Sequence, residues 1–143
     1  MTDYSNKRTF DKLGGVLRVL LGLVFFMAGI LKLVVPSLGE AFAGQLAAAN
    51  IPLQAIVLYT FPFVEMALGI LLLIGLHARI VAAVAALSMI VATYVHIVAD
   101  DPSLFPLQPV EPIGPLVLLL MLLYIILRGA GAWSIDLRKS SRS

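Results

Sequence analysis

The sequence predicts an all-α fold: an integral membrane four-helix bundle with both termini in the cytoplasm. Three observations predict it. Of the 143 residues, 61% are hydrophobic and 13% charged, with a mean hydropathy of +1.04, whereas a soluble domain carries about a quarter charged residues. The apolar residues fall into four runs that lack the alternation of a membrane β-strand. The basic residues gather at one end of those runs and the acidic residues at the other. The same composition excludes a soluble enzyme, a disordered tail and a nucleic-acid-binding protein. A small soluble globule cannot hide so much apolar surface.

Residues 1–12 are polar and read as a cytoplasmic N-terminal tail, leaving 13–133 as the transmembrane domain. Its first span, 13–35, is interrupted only by Arg18 and Lys32. It is too long and too charged for a cleaved signal peptide. Pro36–Asn50 reads as a connection of small and polar residues. The second span, 52–76, contains Glu65 with Pro62 shortly before it, and the third, 80–99, is Ala-rich and ends near His96. About 20 apolar residues cross a bilayer as a helix, which satisfies every backbone group internally. Asp100–Pro112 is acidic. Pro106, Pro109, Pro112 and Pro115 recur every third residue, which predicts a stiff polyproline spacer from which Phe105 and Leu107 reach the membrane interface. The fourth span, 113–128, is the shortest, and 134–143 reads as a cytoplasmic C-terminal tail.

Charge sets the orientation. Lys7, Arg8, Lys12, Arg18, Arg79, Arg128, Arg138, Lys139 and Arg142 share one side, where Arg79 is placed to meet lipid phosphate and Trp133 to anchor at the interface. Lys32 lies near the other side with Glu40, Asp100, Asp101 and Glu111. The positive-inside rule then places both termini in the cytoplasm.

Gly15, Gly22 and Gly29 repeat every seven residues, and Arg18, Phe25 and Lys32 follow each by three. Both sets share one helix face, where glycine allows close backbone approach. Ionisable side chains in lipid face the bundle interior. Phe61, Glu65 and Gly69 share a face of the second span; Ala82, Ala85, Met89, Ala92 and His96 share one of the third. Rise per residue separates Lys32 from Glu65 by about 15 Å of depth in straight helices. Two polar layers are therefore expected: an inner Arg18–Glu65 pair near Tyr124, and an outer Lys32–His96 pair near Tyr59. Glu65 is either a structural partner of Arg18 or a protonatable carboxylate, the candidate catalytic group for proton handling. Lys32, His96, Arg18 and Tyr59 are candidate ligand-binding residues. The plainer alternatives are a Lys32 that snorkels to headgroups and a His96 that anchors at the interface.

The chain has no cysteine, which excludes thiol chemistry, and its two histidines, His77 and His96, sit at opposite ends of the third span. They cannot ligate one haem together. No di-iron spacing, phosphate loop or dinucleotide fingerprint occurs. No metal site is expected, and no cofactor held by the chain other than a lipid-soluble one such as quinone.

The chain resembles the DoxX family of small bacterial membrane proteins. The segments that carry the resemblance are Arg18-Val-Leu-Leu-Gly22, Gly29-Ile-Leu-Lys32, Glu65-Met-Ala-Leu-Gly69, Gly75-Leu-His-Ala-Arg79, His96 and the tail Gly129-Ala-Gly-Ala-Trp133-Ser-Ile-Asp136. The resemblance implies a multi-pass protein of the bacterial inner membrane. Related DoxD-type proteins are subunits of a thiosulfate:quinone oxidoreductase, and other relatives are linked to membrane redox complexes. By kinship, the chain is a quinone-interacting subunit of such a complex, with a redox partner subunit carrying the electron cofactor. The alternative is a non-enzymatic scaffold or a lipid or small-solute binding protein. Either form is compatible with a homo-oligomer.

Overall fold

Helix α1 (Thr2–Val34) ends where Pro36 forces the preceding residue out of the helical region, and Val35 is extended at φ −108°, ψ 105°. The structure, a computed structural model, describes residues 2–140 and the side chains of 11–138. The side chains of Lys7, Arg8, Lys139 and Arg142, counted above with the basic end, lie outside the described residues. Pro36 then opens helix α2 (Pro36–Ala48) at the first-turn position it suits. Helix α3 (Gln54–Ile74) ends at Gly75, whose left-handed φ of 66° lets the Gly75 and Leu76 N–H groups both return to the Leu71 carbonyl. The turn leads directly into helix α4 (Ala78–Val98). Pro102–Leu104 forms a short 3-10 turn, and helices α5 (Ile113–Arg128) and α6 (Ile135–Ser140) follow. Among the described residues there is no strand.

Three helices are long and apolar enough to cross a membrane: α1 from Asp11, α3 and α4. Helix α5 is equally apolar but has 16 residues. Helix α1 packs chiefly on α3 and α4 chiefly on α5, with lighter α1–α5 and α3–α4 contacts between the two pairs. The outside carries large apolar side chains, among them Ile80, Ile97, Leu120 and Leu127. Such a surface suits lipid and is unfavourable in water.

Two connecting segments differ from the expectations drawn from sequence, and the two terminal segments carry structure that the sequence reading left undescribed. Residues 1–12, expected as a polar tail, are helical from Thr2. Pro36–Asn50 is not an irregular connection: Ala, Leu and Gln are good helix formers, and α2 buries Ala41, Phe42 and Leu46 against the bundle. The Asp100–Pro112 segment is not polyproline. Asp101 accepts from the Ser103 hydroxyl and N–H and so nucleates the 3-10 turn, and Phe105 folds inward to 4% exposure while Leu107 stays outside. The start of the expected C-terminal tail is docked, with Ser134 1% exposed.

The packing divides into two cores. The larger contains Leu21, Phe25, Leu68, Leu72, Ala82, Ala85, Leu122 and Ile125. It fills the half of the bundle nearest Arg79 and Arg128, the basic end. A smaller cluster of Ala49, Val95, Ala99 and Phe105 closes the acidic end. The space between them is where the candidate site lies.

Candidate functional site

Glycine sets the α1–α3 register. A Cβ on Gly69 would meet the Phe26 nitrogen at 2.5 Å, and one on Gly22 would meet the Leu73 nitrogen at 2.9 Å. Gly29 faces Pro62 and Met66 in the same way. The expected helix packing of the glycine face is therefore present. The expected polar layers are not. The last turn of α3 is level with Arg18, not with Leu13 where the apolar run begins. This offset of about a turn and a half moves Glu65 toward Lys32 by roughly 8 Å.

Lys32 consequently pairs with Glu65. Its Nζ donates to Oε1 at 2.8 Å and to Oε2 at 2.6 Å, with the side chains 20% and 6% exposed. The same ammonium lies 5.0 Å from the Phe42 ring centroid, close enough for a cation–π contact. An ammonium has three donors, so one N–H remains after the carboxylate is served.

Arg18 does not meet Glu65. It is wholly buried at the basic end, and it donates hydrogen bonds to backbone carbonyls of two segments. Nε donates to Ala130 at 2.8 Å. Nη1 donates to Leu72 and, at 2.6 Å, to Leu73. Nη2 donates to Ala132 at 3.1 Å and Trp133 at 3.2 Å. Gly129 and Gly131, at φ 94° and 66°, bend the chain around it. The Asp136 carboxylate then accepts from the N–H groups of His77 (2.9 Å) and Ala78 (2.8 Å), capping the start of α4. Ser134 donates to the Gly131 carbonyl and accepts from the Leu137 N–H. The tail motif is thus a clasp that ties the basic ends of α1, α3, α4 and α5. Sequence reasoning missed the role of Asp136. A serine just before a helix signals a cap, but a cap supplied to a different helix leaves no local trace.

Between the two cores lies a cavity of about 620 Å³, within the size range of small-molecule sites. Its walls are mostly apolar, and its polar groups are Lys32, Glu65, Gln45, Ser88, His96 and Gln108. Phe42 lines it and stacks on Phe61 at 6.0 Å. The His96 Nδ1 is 3.0 Å from the Val110 carbonyl, and its ring packs on Phe105 at 4.2 Å. A carbonyl only accepts, so Nδ1 carries the proton and Nε2 is the acceptor in the neutral ring. Gln45 donates to the Leu104 carbonyl at 2.6 Å, tying α2 to the loop.

The structure thus brings Lys32, Glu65 and His96 to one cavity, although Lys32 pairs with Glu65 and not with His96. Arg18 does not line it. Tyr59 faces outward at 72% exposure and also lies outside it. Tyr124 sits near Gly14 at the basic end. Gln45, Phe42 and Gln108 were missed because their segments read as connections. Among the described residues no cluster of metal-ligating side chains occurs.

The fold and site together define a small all-helical membrane protein with a polar centre held between its helices. A family model described as DoxX matches residues 15–97, more than half of the chain, and the chain belongs to the DoxX family. The match spans Arg18, Lys32, Glu65 and His96 and ends before the clasp. No curated protein and no solved structure matches the chain.

Proposed function

We propose that this DoxX-family protein binds a membrane quinone beside the Lys32–Glu65 pair and serves as a subunit of a membrane redox complex. In this reading α1, α3, α4 and α5 all cross the bacterial inner membrane, with both termini cytoplasmic, so the basic end faces the cytoplasm. The observation that carries the reading is a charged pair opening onto a mostly apolar cavity. A quinone head is an apolar ring bearing carbonyl acceptors. The remaining Lys32 N–H would donate to one carbonyl, Glu65 would hold the ammonium in place and exchange protons with it, and Gln45 or Gln108 would meet the far side. Phe42 and Phe61 would stack on the ring. A bound quinone supplies two-electron redox chemistry, and a partner subunit would supply or remove the electrons.

The test is native mass spectrometry of the protein in its own lipid extract, with thermal unfolding as quinone is added. One quinone per chain and a stability gain of about 2.7 kcal/mol at 100 times the dissociation constant are expected. No copurified quinone and no gain would contradict the reading.

The closure of Lys32 on both oxygens of Glu65 favours a second reading, a non-enzymatic scaffold or lipid carrier in which the pair is purely structural. In that case Glu65→Gln weakens folding and leaves any electron-transfer rate of the complex unchanged.

A further inference from the structure

We propose that the quinone enters sideways from the lipid through a gap between α3 and α4, and keeps its isoprenoid tail there while its head rests at Lys32–Glu65. The proposal rests on reading the cavity as a quinone site. It follows from where the cavity wall is broken.

Helices α3 and α4 are consecutive and joined by a tight turn, yet they contact one another only lightly. In the basic half, Leu68, Leu72, Val81 and Ala85 fill the space between them. Beyond Glu65 the filling stops. There Val64 of α3 and Leu87 and Val91 of α4 line the cavity and are also 42%, 64% and 48% exposed on the outer surface. A side chain that touches both spaces marks an opening. Of the lining residues on α1 and α5, Val24 alone is exposed.

The chemistry of the rim selects the occupant. Val64, Leu87 and Val91 are branched hydrocarbons, so a water-soluble solute would shed its hydration shell before reaching the ion pair. A methyl-branched isoprenoid chain matches them and stays in hydrocarbon throughout. By the same criterion the exposed loop residues Pro106, Leu107 and Gln108, which also line the cavity, mark a second opening at the acidic end, but that end is braced. The Phe105 cluster, the Gln45–Leu104 hydrogen bond and the His96–Val110 hydrogen bond tie α2, α4 and the loop together across it. The site would therefore select long-tailed quinones over tailless ones.

The chain has no native cysteine, so a Val64→Cys/Leu87→Cys variant can be bridged across the gap with a flexible bismaleimide after folding. The probe is a decyl-tailed benzoquinone, compared with its tailless form, added to the protein in phosphatidylglycerol vesicles. Before bridging, the variant binds the tailed quinone as the native protein does. Bridging lowers the association rate by roughly tenfold or more. An Ala48→Cys/Ser103→Cys bridge between the exposed faces of α2 and the loop at the acidic end leaves the rate unchanged. Unbridged protein is its own folding control, and Val64→Cys/Val91→Cys is the substitute if the first pair misfolds. Undiminished binding after the α3–α4 bridge, or loss with the acidic-end bridge alone, overturns the side opening and leaves the quinone reading standing. A native protein that binds neither quinone overturns the quinone reading and this proposal with it.

Discussion

Lys32 of α1 donates to both carboxylate oxygens of Glu65 on α3, at 2.8 and 2.6 Å, across the most extensive helix–helix contact among the described residues. The glycines that let the two backbones meet also fix the register that brings these residues together. Removing two charges from water costs several kcal/mol per ion, and mutual attraction recovers that only with good geometry. The pair is well aligned and borders a cavity, where a ligand can reach it.

Breaking the pair from one side is therefore costly. Lys32→Met leaves the Glu65 carboxylate buried alone and is expected to destabilise the protein by roughly 3 kcal/mol. Lys32→Met/Glu65→Leu removes both charges and recovers most of that loss. Unfolding titrations in detergent micelles measure both.

Arg18 predicts a sharper chemical distinction. Its planar fork serves carbonyls from two segments at once, which a lysine ammonium with three donors cannot reproduce. Arg18→Lys is expected to cost about 2 kcal/mol or more despite keeping the charge. Equal stability of the two proteins in the same titration would contradict the clasp.

Asp136→Ala should remove the cap on α4 at a cost of about 0.5–2 kcal/mol. Amide exchange at His77 and Ala78 should quicken, while exchange in the middle of α4 stays slow.

The glycines differ in what they tolerate. Gly131 has φ 66°, and a Cβ there would meet the Gly14 carbonyl carbon at 2.6 Å and the Asp11 oxygen at 2.7 Å. Gly131→Ala is expected to abolish folded expression. Gly114 lies in the first turn of α5, and its Cβ would meet nothing closer than Gln108 Oε1 at 3.6 Å. Gly114→Ala should leave stability unchanged or raise it by up to about 1 kcal/mol.

Asp101 gives a pH dependence at the acidic end. Donation from the Ser103 hydroxyl and N–H holds its carboxyl below the ordinary value of 3.8. A depressed value means that the 3-10 turn is supported above the ordinary range and loses that support as pH falls through the lowered value. Exchange of the Ser103 amide should accelerate there, and Asp101→Asn should remove the pH dependence.

The helices were legible because apolar runs of about 20 residues have few other stable forms in lipid. The burial of Arg18 and Glu65 was legible from the packed helix faces they occupy. Their partners were not. Run boundaries locate a helix end only to within a turn or two, and a turn and a half decided whether Glu65 met Arg18 or Lys32. The tail motif was visible as Gly129-Ala-Gly-Ala-Trp133-Ser-Ile-Asp136, but its partners lie on other helices. Gln45 and Phe42 were hidden because α2 is too short and too rich in small residues to read as a span.

The central claim is that the Lys32–Glu65 pair is the centre of a quinone site. Its most direct test is the quinone affinity of the native protein and of the Lys32→Met/Glu65→Leu variant, both in lipid nanodiscs and both shown folded by circular dichroism. The account predicts binding by the native protein and a loss of roughly tenfold or more in the variant, equivalent to about 1.4 kcal/mol. Equal affinities, or no binding by the native protein, would contradict it.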